Sequence, residues 1–149
     1  MSYHDLLSYK RYVLTHWTQW AADPCVDPAS NDRFTLRQLH RDGMFQTERV
    51  DIAPHTRIVP HCHPHMDSVE YYVAGEGTLV IGGHTVQLGP HLLDLPPMKR
   101  CAPIAHDHIH SGVVGPHGVS FLSIQRWQGK PQSAVVDWDG VAPHAVVAA

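Results

Sequence analysis

Cysteine is scarce. The three present in 149 residues, Cys25, Cys62 and Cys101, are odd in number, widely spaced and without a CxxC pair. That pattern argues against a disulfide framework and against a cysteine zinc cage, so a reducing compartment fits and cytoplasmic is the expectation. Positive charge is scarce too: 11 Lys and Arg stand against 14 Asp and Glu, scattered rather than gathered in a stripe. Electrostatic binding to nucleic acid or to an anionic membrane is therefore disfavoured. Long apolar runs are missing. The opening stretch MSYHDLLSYKRYVLTHWTQW carries Asp, Lys, Arg and His throughout, and neither a membrane span nor a signal peptide is read there. With 17% charged and 43% hydrophobic residues, the chain has the balance of one compact globular domain.

The texture divides the chain in three. In residues 1–32, Leu6, Tyr9, Val13, Trp17 and Trp20 recur at steps of three and four. This is the pattern of an amphipathic helix that docks on the domain or on a partner subunit. The helix must stop at AADPCVDPASND, a Pro- and Asp-rich loop. Residues 33–130 consist of short alternating runs with frequent Pro and Gly, which predicts a β-sandwich or barrel. Within them, TLVI and HTVQL flank Gly82-Gly83 as a hairpin, and VSFLSIQRW at 119–127 is a further strand. Residues 131–149, with Trp138 and Val135, Val136, Val146 and Val147, form a tail expected to pack on the barrel.

Histidine is in excess. Of 14, nine fall between positions 55 and 110. In Pro60-His61-Cys62-His63-Pro64-His65-Met66-Asp67-Ser68-Val69-Glu70, two histidines two residues apart on an extended strand leave the same face and converge on one ion. Cys62, of opposite parity, turns away. Glu70, one of only three glutamates, opens the next apolar strand and supplies the charge that neutral imidazoles lack. A second cluster, His106-Asp107-His108-Ile109-His110, follows one hairpin later.

The segment His55 to Gly77 resembles the first motif of the cupin superfamily: G, five residues, HxH, three or four residues, E, six residues, G. Glu70 and Gly77 have the required spacing. Gly89, Pro96 and His110 resemble the second motif, without its PxG and with Val114 at its Asn position. The likeness spans about residues 44–127 and implies a double-stranded β-helix, an all-β jelly-roll barrel, here with an N-terminal α-helix. Two registers compete. Taking His61 and His63 as the pair puts His55 at the glycine position and six residues before Glu70; taking His63 and His65 restores four residues but puts Arg57 at the glycine. Pro60 and Pro64 bracket the first pair as strand entry and exit, which favours it and leaves His65 in the loop.

The resemblance implies one divalent ion on three His and one Glu: His61, His63, Glu70 and His110, with His65 and His108 as alternates. Iron or manganese is expected, with zinc, nickel or copper also compatible with such ligands. Open positions on the ion imply catalysis, first a dioxygenase acting on a small oxygenated molecule. The alternatives are an isomerase, lyase or decarboxylase of a small acid or sugar derivative, and a non-catalytic metal or small-molecule binder. Tyr72 and Gln125 share strand parity with the site and are the candidate catalytic residues. A homodimer is expected from the exposed sheet edges and the Trp17/Trp20 pair.

Overall fold

The structure is a computed structural model that describes residues 5–20, 26–27, 30–134 and 146–148. Cys25, Val135, Val136 and Trp138 lie outside the described residues. The chain runs α1 (Leu6–His16), β1 (Phe34–Asp42), β2 (Phe45–Ile52), β3 (Thr56–His61), β4 (Met66–Ile81), β5 (His84–Leu88), β6 (Cys101–Ile104), β7 (His110–Trp127) and β8 (Val146–Ala148). All pairings are antiparallel, in the order β1-β2-β7-β3-β8, with β4 joining β5, β6 and β7. No helix among the described residues is long and apolar enough to cross a membrane.

Two long strands do most of the folding. The sequence pattern starts the second, β7, only at Val119. The structure instead carries it unbroken from His110 to Trp127, pairing along its length with β4. Register shifts at Tyr72/Ala74 and Gly75/Gly77 let both strands bend across the barrel. Glycine makes this possible: Gly75 has φ +91°, and a Cβ there would lie 2.1 Å from the Gly118 carbonyl oxygen. At the β4–β5 hairpin only Gly82 takes a positive φ, +60°, the requirement of the turn that needs glycine at its first position alone.

Alternation along β2 explains why nearly all of it is buried. Gln46, Glu48, Val50 and Ile52 share one parity, and Val50 and Ile52 join Phe34, Leu36, Val114 and Val119 in the barrel's apolar cluster. Phe45 has the opposite parity and lies with Val69, Tyr71, Leu122 and Ile124 under α1. The helix thus docks on its own barrel. Asp5 caps it by accepting from the Ser8 amide at 2.8 Å. Tyr9 and Val13 are fully buried, and the Tyr9 hydroxyl meets Thr47 Oγ1 at 2.8 Å and His40 Nδ1 at 3.0 Å. Trp20 stacks on His40, and Trp17 meets the edge of Tyr71.

Candidate metal centre

His61 closes β3 and faces His110, the first residue of β7, across the ladder. His63 follows in the turn back to β4, where the Met66 amide donates to its carbonyl. One ligand atom from each of the three rings lies within 4.8 Å of the other two, and all three residues are buried. Their ring centroids are 4.3 to 5.2 Å apart.

Every Nδ1 in this cluster meets a backbone carbonyl: His61 that of Val59 at 2.8 Å, His63 that of Ala134 at 3.0 Å, and His110 that of His108 at 3.1 Å. A carbonyl only accepts, so each Nδ1 carries the proton and each lone pair is placed on Nε2, the tautomer a metal needs. Burial, with His110 close by, pushes His61 down to about 4. Burial and both neighbours take His63 to about 2, and burial lowers His110. Three neutral imidazoles oriented this way fit a divalent ion.

Two carboxylates stand in the same cavity wall. Glu70 Oε1 accepts from Ser68 Oγ at 2.8 Å and Ser123 Oγ at 3.4 Å, while Oε2 is enclosed without a hydrogen-bond partner. Burial, opposed by the two serines and aided by Glu48, pushes its carboxyl up to about 7. Glu48 accepts from Gln125 Nε2 at 2.9 Å and is likewise raised by burial to about 7.

Comparison with solved structures follows this geometry. KdgF from Halomonas sp. aligns at a TM-score of 0.60 and 13% identity, over 73% of this chain and 92% of that one. The cupin domain of Schizosaccharomyces pombe Cnp3 aligns at 0.54 and 9% identity, over 66% and 67%. The chain has the cupin fold. An oxalate decarboxylase variant of Bacillus subtilis aligns at 0.54 and 12% identity, over 72% of this chain and 28% of that one. No family model and no curated protein matches the sequence.

Against the cupin motif, the structure places the pattern differently from the reading that ended on Glu70 and Gly77. His55 stands at the motif's first glycine and takes φ +57°, the backbone conformation that glycine adopts most readily. With four residues intervening after His63 comes Ser68, and with six more intervening comes Gly75, the glycine with positive φ. The glutamate is thus one inward-facing step farther along β4, beside Ser68. The structure does not bring Glu70 into the histidine cluster, because the two serines hold its carboxylate.

The other candidates separate cleanly. His65 and His108 are exposed and outside the cluster, although the His108 carbonyl orients His110. His106 Nδ1 meets Asp67 at 2.9 Å, and that hydrogen bond raises its pKa. Cys62 is half-buried and also outside the cluster. Tyr72 contributes to the cavity wall, but its hydroxyl donates to the Gly75 carbonyl at 2.6 Å. Gln125 is fully buried, and its amide is saturated: Nε2 donates to Glu48 and Ser123, and Oε1 accepts from Gln46 and Trp127. This glutamine positions Glu48 and has no capacity left for a substrate. Glu48 and Ala134 escaped the sequence reading. For Glu48 a signal existed, since it is in phase with Val50 and Ile52; for a carbonyl contact across 71 residues there was none.

Proposed function

We propose that this cupin is a metal-dependent enzyme and, in its first reading, a dioxygenase acting on a small oxygenated organic molecule. His61, His63 and His110 would hold one divalent ion, iron or manganese by preference. The observation that carries the reading is the set of three Nδ1–carbonyl contacts, which commits all three imidazoles to a ligand tautomer. When bound, the ion supplies Lewis acidity and, as iron, the means to activate dioxygen. The histidines contribute no negative charge, so an anionic substrate oxygen complements the site. The cavity wall is mostly apolar, and Glu70, its carboxyl pushed up to about 7 by burial, would hold or release a proton near neutral pH.

That last feature favours a second reading, an isomerase, lyase or decarboxylase, in which proton transfer by a cavity carboxyl is the central step. Metal analysis of protein purified without added ions, with oxygen uptake over diketones, phenols and keto acids, separates the two. Stoichiometric iron with oxygen consumption supports the dioxygenase. Turnover without oxygen consumption supports the second reading, and metal without any turnover leaves a binding protein. Protein that stays metal-free after reconstitution overturns all of these.

A further inference from the structure

We propose that the cavity takes a ligand with a small anionic chelating head at the three histidines and an apolar body of ring size, an aryl or short alkyl group, against the apolar wall of β1, β2, β4 and β5. The head assignment rests on the metal reading above; the body assignment does not.

The cavity has a volume of about 190 Å3, and an apolar cavity of about 150 Å3 accommodates benzene. Away from the histidines the lining is hydrocarbon: Phe34, Leu36, Val50 and Ile52 on one side, Leu79 and Leu88 on the other. Apart from Glu70 Oε2 and Lys99, the polar groups that reach it are engaged within the protein. Tyr72 is tied to Gly75, Ser123 to Glu70, Glu48 to Gln125, and Thr78 Oγ1 to Gln87 at 3.2 Å. The Arg100 guanidinium donates to the carbonyls of Leu93 and Leu95 and to the Tyr71 hydroxyl. Lys99 is exposed. A polyhydroxylated body would bury most of its hydroxyls against hydrocarbon, at a cost for each one left unpaired. A hydrocarbon body gains from the same burial. Among oxygenated substrates this favours molecules with a bare hydrocarbon end over sugar derivatives.

The test is calorimetric titration of Zn(II)-loaded protein with acetohydroxamate, butanohydroxamate, hexanohydroxamate and gluconohydroxamate. These share one chelating head. Each buried methylene is worth up to about fourfold in affinity, so hexanohydroxamate is expected to bind at least about tenfold tighter than acetohydroxamate, and gluconohydroxamate no tighter. In V50T, nearly isosteric with the wild type, hexanohydroxamate is expected to weaken severalfold while acetohydroxamate is unchanged. A flat series, or equal losses for both ligands in V50T, overturns the inference. Titration of metal-free protein keeps the two readings apart. A chain-length gradient that persists with no dependence on Zn(II) overturns the metal reading and upholds the body assignment. Zn(II)-dependent binding without a gradient does the reverse.

Discussion

His61 and His110 stand directly opposite each other in the β3–β7 ladder, with ring centroids 4.3 Å apart. Each Nδ1 is turned to the carbonyl two residues before it. Sheet register therefore sets the spacing of these two rings, the local carbonyl sets each tautomer, and the separate turn carrying His63 completes the cluster.

Replacing His110 by Ala is expected to lower metal affinity by more than about 100-fold, since loss even of an outer partner of a ligand costs 10–100-fold. His91→Ala, at an exposed position outside the cluster, leaves affinity unchanged. Metal content after dialysis checks this, and equal retention by both variants contradicts the assignment.

Glu48 and Glu70 make the apo protein sensitive to alkali. Their folded pKa values are raised from 4.5 to about 7, so between these limits the folded state binds protons that the unfolded state has released. Stability then falls as pH rises through that window. The histidines act with opposite sign, their contribution growing from about pH 4 for His61 to 6.5 and constant above. E70Q and E48Q are therefore expected to gain stability relative to wild type from pH 5 to 8, by at most roughly 3 kcal/mol each. Denaturant unfolding of the metal-free proteins measures it. A difference that does not change with pH contradicts the buried, raised carboxyls.

Tyr9→Phe should cost about 1–2 kcal/mol, because the lost hydroxyl bridges Thr47 and His40 beneath the helix. Denaturation midpoints of the two proteins give the value, and an unchanged midpoint would show that α1 docks by apolar contact alone.

Gly75→Ala is expected to prevent folding, since the new methyl would sit 2.1 Å from the Gly118 carbonyl where β4 and β7 cross. Gly82→Ala has the same kind of positive φ but open space around it, and should cost only about 1–2 kcal/mol. Soluble yield and circular dichroism distinguish the two outcomes.

Local chemistry explains how much was legible beforehand. The Gly82-Gly83 hairpin, an N-terminal amphipathic helix and the grouping of His61 with His63 follow from turn geometry and residue spacing. The structure ends the helix at His16, short of Trp20, and carries His63 in the turn beyond β3 instead of on the strand. The motif register was harder to see. Positive φ at His55 and Gly75 belongs to the folded backbone, and no residue letter announces that His55 takes a glycine's conformation.

Composition and periodicity by themselves determined a β-rich chain, an amphipathic N-terminal helix and a histidine-rich segment of metal-ligand spacing. Only the tertiary structure separated His110 from the alternates His65 and His108, turned the Ala134 carbonyl to His63, and held Glu70 on Ser68 and Ser123 apart from the histidines. It also decided that two of the three glutamates share one cavity wall. The reason is distance along the chain: Glu48 and Gln125 are 77 residues apart, and His63 and Ala134 are 71 apart. Contacts of that separation arise from strand order and register, which local side-chain patterns do not encode.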